Sequence, residues 1–205
     1  MLCKTLKIYL LLMGIVLSGA FSNGQDIHSQ QNISTKSTII EKNDLKILSW
    51  NIKMMPAPYG WFHNSVERAE NIIQALKSSE TYDVILFQEA FSRKIRKIIF
   101  DGLQSIYPYQ IIPKNQPKIF KTNSGLWVIS RNPITLIDEI SFSHLREWDK
   151  LTSKGAKLYS IIKNEQELYL INTHMQSDYK TKYNKVRTDQ YTQINKNLIL
   201  PYVKQ

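Results

Sequence analysis

Cysteine is almost missing from this 205-residue chain: the only one is Cys3. It lies in the first stretch, MLCKTLKIYLLLMGIVLSGAFSNGQ, ahead of an apolar run from Ile8 to about Phe21. Lys4 and Lys7 precede that run and small or polar residues follow it, which is the layout of a secretory signal peptide over residues 1–24. The run is shorter than the roughly 20 apolar residues that cross a bilayer, so a cleaved leader is expected over a retained anchor. Once it is removed no thiol remains. That excludes disulfides, zinc-thiolate sites and a cysteine nucleophile. The expected location is secreted or periplasmic.

Acidic residues are also in short supply, 17 against 27 Lys and Arg, for a net charge of +10. Loss of Lys4 and Lys7 with the leader brings this to +8. Such a balance favours anionic partners, among them nucleic acid, acidic lipid and phosphorylated substrates, without choosing between them. A basic stripe interleaved with aromatics, as a nucleic-acid groove would carry, is absent. Arg93, Lys94, Arg96 and Lys97 form a charge run instead, read as a solvated helix face. Internal repeats are missing too. The only biased tract is the Ser-, Gln-, Asn- and Thr-rich segment after the leader, which assigns residues 25–43 to a flexible lead-in and 44–205 to a folded domain.

What is there alternates strands and helices at first. Lys46 to Asn51 reads as a strand covered on both faces. Asn64 and Glu67 have the spacing of a capping box, followed by Val66, Ala69, Ile72, Ile73 and Leu76 at helical intervals. Asp83 to Glu89 is a second buried strand, and Ile95, Ile98, Ile99 and Leu103 mark a second helix. Strands then dominate, over Gly125–Ser130, Ile134–Phe142, Ala156–Lys163 and Glu167–Thr173, with the last two a hairpin. A helical pattern returns from Asn184 to Leu200. The fold class is α/β.

Three of these strands end abruptly in polar side chains: Asn51, the pair Gln88-Glu89, and His174 with Gln176. Ligand sites in open α/β sheets lie beyond the carboxyl ends of strands, so these groups are candidates for one site. A carboxylate, an amide and an imidazole with no thiol suit a hard, oxygen-preferring cation such as Mg²⁺. Taken singly, Asn51 is more often a turn former, Glu89 a solvated strand end and His174 a satisfied edge histidine. It is the repetition at strand ends that points to a site.

The segments Leu48-Ser-Trp-Asn51, Glu67-Arg68-Ala69, Asp83 to Glu89, Gly125 to Ile134, Ser153-Lys154-Gly155, Asn172-Thr-His174-Met-Gln176 and Val186-Arg187-Thr-Asp-Gln190 together resemble the endonuclease/exonuclease/phosphatase superfamily, and within it the secreted neutral sphingomyelinases. The resemblance implies a four-layer α/β/β/α sandwich. It also implies a Mg²⁺-dependent phosphodiester hydrolase of sphingomyelinase C type, releasing ceramide and phosphocholine at a membrane surface. In that family the residue matching Glu89 holds the metal, and the one matching Asn51 positions metal or phosphate. The one matching His174 donates hydrogen bonds to the phosphoryl oxygens, while Arg187 and Gln190 match a bracing pair. The family's Gly-Asp-x-Asn motif and terminal Asp-His do not occur here. The expectation is therefore a sandwich truncated before its second half is complete, inactive alone unless a second chain supplies that half. A nuclease or phosphatase of the same superfamily, and a non-catalytic lipid- or phosphate-binding remnant, are the alternatives.

Overall fold

A computed structural model of the chain describes residues 8–10, 44–55, 64–79, 82–114, 122–146, 152–177 and 181–203. Among the described residues eight strands form two four-stranded sheets. These are β1 (Ile8–Leu10), β2 (Ile47–Met54), β3 (Val84–Ala90), β4 (Tyr109–Ile111), β5 (Trp127–Ser130), β6 (Ile134–Ser141), β7 (Gly155–Lys163) and β8 (Gln166–Thr173). One sheet runs β2-β3-β5-β4 and the other β1-β8-β7-β6. β2 lies parallel to β3, as the strand–helix–strand order requires, and β7 pairs antiparallel with β8 in the expected hairpin. β1 falls within the segment assigned to the leader and pairs in parallel with β8, Ile8 opposite Tyr169. The remaining leader and lead-in residues lie outside the described ones.

Alternation along the strands builds three apolar layers. Val84 and Leu86 of β3 and Val128 of β5 face Tyr159, Ile161, Leu168 and Leu170 of β7 and β8, closing the space between the sheets. The opposite face of the first sheet, including Ile85, Phe87, Trp127 and Ile129, packs on helices α1 (Ser65–Ser78) and α2 (Arg93–Leu103). The outer face of the second sheet, through Ala156, Leu158 and Ile171, packs on Ile194 of α3 (Asn184–Ile194) and Leu198 of a π-helical turn, Asn195–Ile199. That turn leads into α4, Leu200–Val203. The layers are α/β/β/α. No helix among the described residues is long and apolar enough to cross a membrane.

Two expectations are corrected. Asn64 precedes α1 in the left-handed region, at φ 43°, and makes no side-chain capping bond; its amide donates instead to the Glu67 carboxylate at 3.2 Å. The run of four cations on α2 is not solvated throughout, because Arg96 is buried. Its guanidinium donates to the carbonyls of Ala90 and Phe91, 2.5 and 2.8 Å away, which tie off the end of β3. Burial, then the neighbouring Arg93, pushes its pKa down to about 10.

Candidate active site

β2, β3 and β8 carry their polar residues to the same end of the space between the sheets. Inward positions of β3 read Val84, Leu86, Gln88, and those of β8 read Leu168, Leu170, Asn172, so each strand turns polar after two apolar layers. Gln88 donates to the Asn172 side chain at 2.7 Å and reaches Ser49 of β2 at 3.2 Å, while the Asn172 amide donates to the Phe87 carbonyl at 3.1 Å. Gln88 and Asn172 thus join the two sheets by hydrogen bonds, a buried polar layer on the apolar one. The site sits just beyond it.

Glu89 breaks the alternation. Its backbone is left-handed, at φ 55°, where a side chain with a Cβ is strained by roughly 1–2 kcal/mol. Lys53, facing it across a register shift between β2 and β3, is left-handed as well, at φ 47°. The twist aims the Glu89 carboxylate toward its neighbours on β2 and after β8. Oε1 accepts from Asn51 Nδ2 at 2.6 Å and lies 3.7 Å from His174 Nε2. The second distance is too long for a hydrogen bond and short enough for an ion pair with a protonated imidazole. Asn51 Oδ1 accepts from the Lys53 backbone at 3.0 Å, so the amide is held from both ends. Behind Glu89 runs Gly125, at φ +68°, where a Cβ would stand 2.8 Å from the Phe91 ring and 3.1 Å from the Glu89 backbone. Only glycine fits there.

His174 is fixed by the strand beside it. Its backbone N–H donates to the Gly155 carbonyl at 3.0 Å, and the Phe91 ring lies 6.0 Å away, tilted. Lys154 is buried and its ammonium donates to the Met175 carbonyl at 2.8 Å, holding the loop that follows the histidine. Arg68 of α1 plays the same part for β2, donating to the Ile52 carbonyl at 2.7 Å. The motif segments Glu67-Arg68-Ala69 and Ser153-Lys154-Gly155 contain these two cations, but periodicity gave them no partners; their partners are carbonyls at the ends of other elements.

The strand-end candidates therefore separate into two groups. Asn51, Glu89 and His174 come together. Gln176 does not join them: its backbone N–H donates to Gln190 Oε1 at 2.9 Å, and its own Oε1 accepts the Arg146 N–H at 2.9 Å. Gln190 is fully buried and braces this loop from α3, whereas Arg187, three residues earlier, is bonded to Asn184 on the exposed side. Among the described residues no cluster of three or more His, Cys, Asp or Glu side chains could hold a metal ion. Among the described residues Glu89 is the one anionic oxygen donor at the site, which fits a largely hydrated Mg²⁺ better than a fully caged ion.

Known proteins share this arrangement of layers. The chain is 30% identical over 179 residues to a Sphingomyelinase C of Leptospira interrogans, covering 78% of this chain and 31% of that protein. It superposes on a hairpin-deletion mutant of beta toxin from Staphylococcus aureus with a TM-score of 0.65 and 25% identity, over 75% of this chain and 60% of the toxin. The chain belongs to the endonuclease/exonuclease/phosphatase superfamily. Within the superfamily it resembles the sphingomyelinases. A second beta toxin structure, a F277A, P278A mutant with bound magnesium ions, has a TM-score of 0.64 at 24% identity, over 75% of this chain and 58% of that one. The chain thus spans from about a third to three-fifths of the length of these relatives. No protein-family model matches it.

Proposed function

We propose that these residues form part of the active site of an exported, metal-assisted phosphodiesterase of sphingomyelinase C type, cleaving sphingomyelin to ceramide and phosphocholine. The observation that carries the reading is the meeting of Glu89, Asn51 and His174 from three strand ends and both sheets. The sphingomyelinase relative, and the magnesium in a beta toxin of the same fold, support the choice of substrate and of ion.

In this reading the Glu89 carboxylate would hold Mg²⁺, which when bound polarises the phosphoryl group and offsets the charge that builds there. Asn51 fixes the orientation of that carboxylate through its 2.6 Å hydrogen bond. His174 directs an imidazole N–H at a phosphoryl oxygen, a bond that strengthens as negative charge grows on it. The Phe91 ring and the Gln88–Asn172 layer close the floor beneath, so the imidazole meets its partner from a fixed and largely dry position. These groups bind and polarise a phosphodiester; activation of the attacking water needs a general base in addition to them.

The test is phosphocholine release from sphingomyelin vesicles with Mg²⁺, beside phosphatidylcholine and DNA under the same conditions. Release should favour sphingomyelin and fall by about 10²–10³-fold in His174→Ala. DNA cleavage exceeding sphingomyelin cleavage would overturn the substrate assignment. The leader reading is tested by sequencing the N-terminus of protein recovered from the medium, which should start near Gln25.

A further inference from the structure

A polar cavity opens between β6, the start of β7 and the turn before Gly125. It measures about 210 Å³, room for a small polyatomic ion with part of its water, since one water occupies roughly 30 Å³ in the liquid. Its polar lining is Lys114, Lys157, Glu139 and the three serines Ser124, Ser141 and Ser153. Lys157 is the unusual member. Its residue is 2% exposed, yet it is charged and sits on the inward face of β7, opposite Asn172 of β8 and Glu139 of β6.

Among the described residues the charges there do not balance. The Lys157 ammonium meets Glu139 Oε2 at 3.2 Å as an ion pair, but no described acceptor gives it a hydrogen bond of acceptable geometry. The other oxygen of the same carboxylate is taken by Lys114. One carboxylate thus serves two ammonium groups, and Arg96 adds a third positive charge to the field at Lys157. A buried cation is normally both paired and hydrogen-bonded, because removal from water is otherwise costly. Burial lowers the pKa of Lys157 despite the attraction of Glu139, as a shortfall of counter-charge would.

We propose that this cavity is a binding site for a phosphate-like oxyanion, held by the ammonium groups of Lys157 and Lys114 with hydroxyls of the serine cluster. An oxyanion supplies what the site lacks: acceptors for the Lys157 N–H groups and one to two units of negative charge. Serine hydroxyls and ammonium groups together match the several acceptor oxygens of such an ion. The site is separate from the Glu89 carboxylate and stands whether or not the phosphodiesterase reading holds. It is linked to that centre through the backbone, because Ser124 precedes the glycine that backs Glu89, and Ser153 lies two residues before the carbonyl that receives the His174 N–H.

The experiment titrates the whole chain with inorganic phosphate in metal-free buffer, followed by calorimetry and by amide NMR shifts. Saturable one-to-one binding is expected, with the largest shifts at Ser124, Ser153 and Lys157. Lys157→Met should weaken it about tenfold or more, Lys114→Ala by less, and Glu89→Gln not at all. Methionine keeps the volume of the side chain and leaves Glu139 paired with Lys114, so the fold should be retained. If that variant does not fold, Ser153→Ala and Lys114→Ala decide the matter. A parallel arm uses vesicles containing phosphatidic acid, and binding dependent on Lys157 only there would overturn a site for the free ion. Absence of saturable binding, equal affinity in Lys157→Met, or loss in Glu89→Gln would each overturn the proposal.

Discussion

The space between the two sheets has two ends built from the same strands, and they differ in kind. At one end Val84, Leu86, Val128, Tyr159, Ile161, Leu168 and Leu170 interlock without polar partners except the Tyr159 hydroxyl. At the other, one or two pleats further along, the same inward positions hold Gln88 and Asn172, then Glu89 and His174. The apolar end excludes water and keeps the sheets at a fixed separation. The polar end uses that fixed separation to hold groups that would not meet unless constrained, including one in a strained backbone conformation. Stability and chemistry are therefore carried by different stretches of the same strands, and a strand can lose one while keeping the other.

Substitutions at the two ends sharpen that contrast. The largest effect is expected at the apolar end, where Leu86, 1% exposed, contacts both sheets. Leu86→Ala should lower the free energy of unfolding by about 2–5 kcal/mol in a urea titration. A loss under about 1 kcal/mol would mean that this layer does not hold the sandwich together.

In the polar layer the effect should depend on pairing. Gln88→Leu leaves the Asn172 Oδ1 without its donor and should cost roughly 1–3 kcal/mol. Gln88→Leu combined with Asn172→Leu should recover much of that, giving a coupling of about 0.5–3 kcal/mol in a double-mutant cycle. Strict additivity would show that the two amides do not act as one link.

Lys157 gives a smaller effect with a defined pH dependence. Its folded-state pKa is lowered, chiefly by burial, from 10.5. The unfolded chain therefore keeps that proton to higher pH than the folded one, and the folded state gains stability as pH rises through the folded value toward 10.5. Lys157→Met should be about 1 kcal/mol more stable than the parent at neutral pH, with the advantage shrinking as the pH is raised. An advantage that grows with pH would contradict the assignment.

Periodicity was enough to place β2, β3, β6 to β8 and the three main helices, because each is long enough to show its pattern, while the four-residue β5 was marked by a short run of apolar residues. The three-residue β4, Tyr109–Ile111, gave no such signal; its pairing with β5 comes from a partner distant in the chain. Within the site, the polar strand ends marked Asn51, Glu89 and His174 because hydrophilic residues directly after buried runs are unusual. Gln176 carried the same mark and serves a loop instead, since spacing does not say which way a side chain turns after its strand has ended. The left-handed backbone at Glu89 was invisible for a related reason. It is imposed by Gly125 and the β2–β3 register shift, contacts that exist only once the sheet has formed. Arg96 read as surface charge, and Arg68 and Lys154 were marked only as members of motif segments; the tertiary structure shows the carbonyls that all three satisfy.

The claim that Glu89, Asn51 and His174 form one metal-dependent centre is tested most directly by adding Mn²⁺ in place of Mg²⁺ and following amide NMR line widths. Broadening should centre on residues 51, 89 and 174 and be displaced by excess Mg²⁺. It should vanish in Glu89→Gln, while that variant unfolds within about 0.5 kcal/mol of the parent. Broadening centred elsewhere, or unchanged in Glu89→Gln, would contradict the account.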